Sequence, residues 1–350
     1  MNPELTAIVV NHRSAAEAAA CVASLEEAFQ REDVKGEIVL VDCASGPEEA
    51  RILETVPADE RVFLAENRGY SGGINAGLAH ARAARLLIAN ADVLFLPGAL
   101  TALLSEIADA RVGAAAPLCV WDAAGRLRLP ADSSLGFFGE VEELFSGYSE
   151  AADRRRFSAF ARRTLRLWES GGDARYLVGA VLAVRRDVFD RVGHFDERFL
   201  FEYEETEWED RVRKAGLRLR FVPRARVRHL YARSATRNPE AARRRAVSRR
   251  LYRDRRYGRL AGMILERAGS RQRAPRATPL AEPLVRAREA ATLAISTNPS
   301  LIPFAGAALS EDFRLPAEIV ASLPPGPLYL RVFRTADGDP LETFVWENRG

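Results

Sequence analysis

Short apolar runs alternate with segments of helical spacing along the first part of the chain. Residues 5–10, LTAIVV, form a β-rich run that ends in Asn11. A helix is expected over 15–29, with Ser14 at its start and Glu17 three residues on, the spacing of a capping box. Residues 37–41 and 61–64 read as two further buried strands, and 71–84 as a helix. The run 85–96, RLLIANADVLFL, reads as a buried strand that carries Asn90 and Asp92 before Pro97 and Gly98 stop it. Strand and helix alternating in this order predict an α/β fold with a doubly wound, mostly parallel sheet flanked by helices. Ligands bind such sheets at the carboxyl ends of the strands, which is where Asp42 and Asp92 fall.

From 110 to 172 the periodicity loosens: 117–130 reads as a hairpin or long loop, 136–147 as irregular, and 151–168 as an arginine-studded helix. Residues 176–184 return to buried strand character, with Gly179 permitting a close approach. A helix is expected through Lys214, stopped at Gly216. Two short strands, 217–222 and 225–230, are expected around Pro223, then a strongly basic helix over 238–257. Residues 267–283, rich in Pro, Arg and Ala, read as a linker between a domain over 1–266 and a small β-rich unit over 284–350. That unit is expected to place strands at 291–297, 327–334 and 343–347. Its aromatics Phe333, Phe344 and Trp346 call for a partner surface, on the first domain or on a second copy of the chain in a homo-oligomer.

Composition narrows the function. A hydrophobic fraction of 47% excludes general disorder, and Lys+Arg 51 against Asp+Glu 48 is too balanced for a nucleic-acid binder. Cys21, Cys43 and Cys119 lie too far apart for a zinc site or a disulfide framework. No uncharged apolar run reaches the roughly 18 residues of a membrane span. The expectation is a cytoplasmic protein, soluble or resting peripherally on the inner face of the membrane through its basic helix.

Two stretches carry candidate chemistry. Residues 66–77, ENRGYSGGINAG, place glycines where backbone N–H groups and a helix start would hold a diphosphate, with Arg68 as a fixed cation beside them. Close packing of helix on sheet is the other use of the same glycines. Residues 195–210, FDERFLFEYEETEWED, interleave aromatic side chains with carboxylates, so some acids sit beside apolar surface where their pKa rises toward general-base range. His229 is a candidate metal ligand if the fold brings it to the acidic cleft. Nucleotidyl transfer on a similar sheet would want a second metal-binding carboxylate near Asp92, and the sequence has none.

Taken together, these motifs resemble the family 2 glycosyltransferases of the GT-A fold, in particular the rhamnosyltransferase-like branch. The resemblance rests on Ile8-Val9-Val10-Asn11, Val41-Asp42-Cys43-Ala44-Ser45, Asn67-Arg68-Gly69-Tyr70 with Gly72 and Asn75, and Asn90-Ala91-Asp92. It continues through Val178-Gly179-Ala180, Phe195-Asp196-Glu197-Arg198-Phe199, Glu204-Glu205 and Val227-Arg228-His229. It implies inverting transfer of a sugar, rhamnose in that branch, from a nucleotide diphosphate donor to a hydroxyl of a glycan or lipid-linked acceptor in surface-polysaccharide synthesis. It also implies a donor pocket lined by Asn11, Asp42, Asn67, Arg68, Gly69, Gly72, Asn75 and Asn90, with Asp42 on the nucleoside. A divalent cation, Mg or Mn, would be held by Asp92, beside the separate candidate His229, and Glu205 stands at the base position with Glu204 and Glu207 as neighbours. Glu205 and Glu207 replace aspartates of the family, and Trp208 replaces a small aliphatic residue. A side chain longer by a methylene needs a shifted backbone, or the base has moved. The same replacements raise a competing reading, a relative that binds a nucleotide sugar or glycan without turning it over.

Overall fold

In the computed structural model, which describes residues 3–132, 149–230, 241–268 and 275–350, the run Leu5–Asn11 is strand β1, buried at every position. The expected irregular segment 136–147 and the start of the basic helix, 238–240, lie outside the described residues. β1 pairs in parallel with β2 (Gly36–Asp42) on one side and β4 (Arg85–Asn90) on the other, and β2 pairs in parallel with β3 (Glu60–Phe63). Helices α1 (Ala15–Arg31), α2 (Pro47–Thr55) and α3 (Gly69–His80) connect these strands. Antiparallel strands continue the sheet. β4 pairs with β8 (Val181–Arg185), followed by β6 (Val112–Val120), β9 (Arg218–His229) and β5 (Val93–Phe95). The order is β3-β2-β1-β4-β8-β6-β9-β5, with β7 (Gly172–Asp173) beside β9.

The strand order reverses between β1 and β4, which is where a doubly wound sheet opens a crevice at its carboxyl edge. Register sets Asn11 opposite Asp42 and Val10 opposite Asn90. Strand pairing alone therefore gathers three of the expected donor residues at one edge.

Several elements differ from the pattern for physical reasons. The run 85–96 is two strands, because β5 leaves the neighbours of β4 and pairs with β9, Val93 opposite His229. Around Pro223 there is one strand, β9, rather than two, since a proline removes a ladder donor without ending an extended chain. Strand character after Tyr176 begins only at Val181. No strand is expected at 112–120, yet β6 is buried at every position. Its small residues serve close packing: a Cβ on Gly113 would lie 2.3 Å from Val212 Cγ1. Ser14 does not cap α1; its hydroxyl donates to Asn11 Oδ1 at 3.0 Å, and Glu49 Oε2 takes the Ala15 amide at 2.7 Å.

Helices α4 (Ala99–Ile107), α5 (Glu150–Ser170), α6 (Arg186–Val192), α7 (Glu204–Lys214), α8 (Ala241–Tyr257), α9 (Arg259–Ala268) and α10 (Ala317–Ser322) complete the described helices. The chain divides into two compact units, Met1–Leu118 with Gly171–Tyr252, and Cys119–Ser170 with Arg253–Gly350. The second holds a five-stranded sheet of β10 (Thr278–Leu280), β12 (Ala291–Ser296), β13 (Ala305–Ala308), β15 (Gly326–Arg334) and β16 (Pro340–Asn348), in the order β10-β16-β15-β12-β13. A separate pair joins β11 (Leu284–Val285) to β14 (Phe313–Arg314). Phe333 is buried against α5, its ring 5.4 Å from Phe157 and 5.6 Å from Phe304, and Phe304 stacks on Phe157 at 5.6 Å. Residues 119–170, expected within the first domain, thus supply the apolar partner that the C-terminal strands need.

In the first unit, α3 lies unusually close to the sheet. A Cβ on Gly73 would fall 2.5 Å from Val10 Cγ1, and one on Gly77 2.4 Å from Ile8 Cγ2. Gly77→Ala should therefore lower the free energy of unfolding by about 1–3 kcal/mol through overpacking, read as a lower urea midpoint at an unchanged slope. An unchanged midpoint would mean that α3 can move off the sheet without cost.

Candidate active site

The edge of the sheet where a donor is expected is a closed hydrogen-bond network. Asn11 Nδ2 donates to Asp42 Oδ1 at 2.9 Å and to Ser45 Oγ at 3.3 Å, and the Ser45 amide donates to Asp42 Oδ2 at 3.0 Å. Asn11 and Asp42 are both buried. Every polar atom that orients the Asp42 carboxylate is thus fixed by strand pairing or by the turn after β2. His12 joins this edge, with Nδ1 3.0 Å from the Cys43 carbonyl and Nε2 3.1 Å from Asn67 Nδ2. Burial lowers its pKa against the opposing pull of the Cys43 carbonyl. A neutral ring protonated at Nδ1 accounts for both bonds, since it donates to the carbonyl and accepts from the amide. Asn67 Oδ1 in turn accepts the Gly69 amide at 2.9 Å, tethering the start of α3. Sequence reasoning did not place His12 and Ser45 at this edge, because the bonds that bring them to their partners across the sheet, His12 to the Cys43 carbonyl and Ser45 to Asn11, span more than 30 positions.

The glycine-rich turn serves packing first. Gly69 has φ +74, and a Cβ there would lie 2.8 Å from the Leu200 carbonyl oxygen; at Gly72 it would lie 2.4 Å from Arg68 Cβ. Arg68 Nε donates to Glu197 Oε2 at 3.0 Å. Asn75 Nδ2 donates to the Phe195 carbonyl at 2.9 Å and to Glu197 Oε1 at 3.0 Å, while its Oδ1 accepts the Phe195 amide at 3.2 Å. Two residues expected at the donor pocket, Arg68 and Asn75, therefore clamp α3 to the FDERF segment. Asn90 likewise contributes backbone bonds: its amide reaches the Ala180 carbonyl at 2.9 Å.

Asp92 follows β4 and faces the end of β9. His229 Nε2 lies 3.2 Å from Asp92 Oδ1, both side chains are buried, and the Leu230 amide donates to the Asp92 carbonyl at 2.9 Å. The pairing of β5 with β9 creates this juxtaposition across 137 positions. Among the described residues no group of three or more His, Cys, Asp or Glu forms a metal cluster. One carboxylate and one imidazole fit a cation that arrives with phosphate oxygens, as Mg or Mn does, rather than a preformed protein cage.

The acids of α7 divide by environment. The helix is entered through two left-handed residues, Glu202 at φ 60 and Tyr203 at φ 69. Glu204 is buried, whereas Glu205 is partly exposed. The Oε2 atoms of both, and the Tyr70 hydroxyl, are sealed from solvent and have no hydrogen-bond partner among the described residues. Gly179 makes room for Glu205, because a Cβ there would lie 3.0 Å from Glu205 Cγ and 3.1 Å from its Cδ. Burial raises both carboxyls, Glu204 well above its ordinary value with help from the Glu205 charge, and Glu205 to about 7 with help from Glu202. Tyr70 is pushed up by burial and then by the charges of Glu204, Glu205 and Asp92.

Glu207, the third candidate, is different: Arg211 donates to Glu207 Oε2 from Nε at 3.1 Å and Nη2 at 2.9 Å, and also holds the Val192 and His194 carbonyls. It belongs to a clamp at the back of the helix. Trp208 occupies the same back surface, stacked on Phe195 with ring centroids 5.2 Å apart and donating Nε1–H to the Gly193 carbonyl at 3.0 Å. The Trp that replaces a small residue therefore fills a large apolar recess and does not crowd Glu205.

Residues 6–193 match the family model described as Glycosyl transferase family 2. The N-acetylglucosaminyl-diphospho-decaprenol L-rhamnosyltransferase of Mycobacterium tuberculosis, in strains H37Rv and CDC 1551, is 34% identical over 160 residues, 44% of this chain and 49% of the relative. The chain thus spans about half the length of the curated relatives it matches. Among solved structures, GalNAc-T7 with UDP, GalNAc and Mn2+ is similar at 17% identity and a TM-score of 0.46, over 66% of this chain and 44% of that one. A mannosyltransferase from Pyrobaculum calidifontis in complex with GDP-Man and Mn2+ is similar at 18% identity and a TM-score of 0.45, over 77% and 76%.

The raised pKa of Glu205 has a consequence for stability. Between its ordinary value of 4.5 and about 7 the folded chain holds a proton that the unfolded chain has lost, so stability falls as pH rises through that window. Glu205→Gln should therefore be more stable than the wild type at pH 8, by on the order of 1–3 kcal/mol, with the difference closing below about pH 4.5. Thermal or urea unfolding at both pH values reads this directly. A variant less stable than wild type at pH 8 would show that the carboxylate is paired after all.

Proposed function

Because the chain belongs to glycosyl transferase family 2, we propose that it is an inverting, cation-assisted transferase that moves a sugar from a nucleotide diphosphate donor to a hydroxyl of a lipid-linked acceptor. The observation that carries this reading is Glu205, a partly open carboxylate with its pKa pushed up to about 7, mounted on the unit whose sheet edge holds the ordered Asn11–Asp42 network. A base with a pKa near the working pH combines a deprotonated fraction with real driving force for taking a proton. Inversion asks for one such base: Glu205 takes the acceptor O–H proton as that oxygen attacks the anomeric carbon from the face opposite the diphosphate. The bond from that carbon to the phosphate oxygen breaks, and its electron pair leaves with the nucleoside diphosphate. Asp42, held rigid by Asn11 and Ser45, suits a nucleoside hydroxyl donor. Asp92 and His229 would hold Mg or Mn together with the donor's phosphate oxygens, and when bound the cation supplies neutralisation of the leaving diphosphate.

A rhamnosyl donor and a lipid-linked acceptor are suggested by the name of the mycobacterial relative. The exposed Arg243, Arg249 and Arg250 of α8 suit the anionic membrane surface on which such an acceptor is carried, and no described helix is long and apolar enough to cross a membrane.

Three substitutions test the assignment. Glu205→Gln should lower transfer by about 10²–10⁴-fold with donor affinity within about twofold of wild type, since the amide keeps the shape and loses the base. Asp92→Ala should abolish the manganese dependence of UDP and dTDP binding measured by calorimetry. Glu207→Gln should retain transfer and lose thermal stability, because its carboxylate holds Arg211. Full activity in Glu205→Gln, with loss in Glu207→Gln or Glu204→Gln, would move the base to that neighbour.

A further inference from the structure

One side chain holds α7 on both sides of the acids Glu204 and Glu205. The ring of Tyr252, on α8, packs against the ring of Tyr203 with centroids 5.4 Å apart, and its hydroxyl donates to Asp210 Oδ2 at 3.1 Å. Tyr203 immediately precedes the two acids, and Asp210 follows them on the same helix. The contact with Tyr203 bears on a strained backbone. Glu202 and Tyr203 are left-handed, at φ 60 and φ 69, a conformation that side chains other than glycine keep only where their surroundings impose it. One face of α8 imposes it: Arg245 lies 2.7 Å from Glu202, Ser248 Oγ accepts the Phe201 amide at 3.3 Å, and Tyr252 takes the Tyr203 ring.

Asp210 ties in the wall of the site. Its Oδ1 accepts the Tyr176 hydroxyl at 3.0 Å and lies 3.8 Å from Arg213 Nη1, the two phenol oxygens are 3.2 Å apart, and Tyr176, Asp210 and Tyr252 are all buried. Tyr176 begins the segment that reaches Gly179, where a Cβ would lie 3.0 Å from Glu205 Cγ. The entry to α7, its body and the wall beside Glu205 therefore converge on this hydrogen-bonded trio. Such fixing matters for a base, since a misplacement of about 1 Å can slow a reaction about 10²-fold.

We propose that Tyr252 is a positioning residue for the base: through Tyr203 and Asp210 it fixes the first turn of α7 so that the Glu205 carboxylate is presented to the acceptor hydroxyl. The inference rests on Glu205 being the base. The role needs no contact between Tyr252 and substrate; a misaimed base leaves donor binding intact and slows the transfer step.

The test uses Tyr252→Phe and Tyr252→Leu in the full chain, each alone and combined with Glu205→Gln. It follows release of nucleoside diphosphate from UDP-, GDP- and dTDP-linked sugars with manganese. Tyr252→Leu removes both ring and hydroxyl and should lower kcat about 10²-fold with the donor KM within about twofold of wild type. Tyr252→Phe keeps the ring against Tyr203 and loses only the bond to Asp210, so it should recover kcat to about three- to tenfold below wild type. In the Glu205→Gln background neither substitution should lower kcat further, because the group they position is gone. Tyr252→Phe, which loses a single hydroxyl, decides the question where Tyr252→Leu does not fold. Wild-type kcat in Tyr252→Phe, a donor KM that rises as kcat falls, or the same fold-loss in both backgrounds overturns the role of Tyr252. Wild-type kcat in Glu205→Gln instead overturns the base assignment, and no release by the wild type from any of these sugars overturns the transferase reading, so the failures are distinguishable.

Discussion

Two adjacent carboxyl groups at the start of α7, each with one oxygen sealed from solvent and without a hydrogen-bond partner among the described residues, are the constraint on which the first unit depends. Desolvating a carboxylate without a partner costs several kcal/mol, and the two left-handed residues that aim the helix add strain of about 1–3 kcal/mol each. Opposing this, the rest of α7 is bound on all sides. Glu209 accepts the Leu177 amide at 3.1 Å, Asp210 accepts the hydroxyls of Tyr176 and Tyr252 at 3.0 and 3.1 Å, and Trp208 is stacked and hydrogen-bonded. The strained entry is held from α8, where Arg245 lies 2.7 Å from Glu202 and Ser248 Oγ accepts the Phe201 amide at 3.3 Å. The helix is anchored by its satisfied acids so that two unsatisfied ones can be kept in place.

The donor edge follows the opposite logic. Around Asp42 each donor and acceptor named above is paired, which makes this edge rigid. Recognition of a nucleoside gains from such order, whereas proton transfer gains from a carboxyl whose charged form is poorly stabilised. One unit thus carries a satisfied carboxylate at the sheet edge and a pair of carboxyls on α7 whose Oε2 atoms have no partner among the described residues.

The second unit is held by a different force. Phe157, Phe160 and Trp168 of α5 surround Phe304, with ring centroids 5.6, 5.5 and 6.0 Å away, and Arg331 lies buried 4.6 Å above the Phe157 ring and 3.3 Å from Asp153. Apolar burial and one enclosed cation fasten α5 to strands more than a hundred positions later in the chain. That explains why a segment lying between two stretches of the first unit in sequence belongs to another core in space.

The sequence by itself determined the parallel α/β core, because periodicity and strand ends are local: β1, β2 and β3 stand within a residue or two of where apolar runs place them, β4 begins where its run begins, and Asn11, Asp42 and Asp92 sit at their expected edge. It also marked out the acidic helix, since aromatic and carboxylate residues alternate there visibly. Only the tertiary structure decided how each acid is surrounded. Glu204, Glu205 and Glu207 are the same side chain within one helical turn, and what distinguishes them is Gly179 beside Glu205 and Arg211 holding Glu207. The same holds for Arg68 and Asn75, whose motif suggests a donor and whose bonds are made to Glu197 and Phe195. β6 was hidden because small residues carry no strand pattern of their own and acquire one only under the side chains that cover them. Local sequence sets what each segment can be, while desolvation and pairing, which depend on partners far along the chain, set what each side chain does.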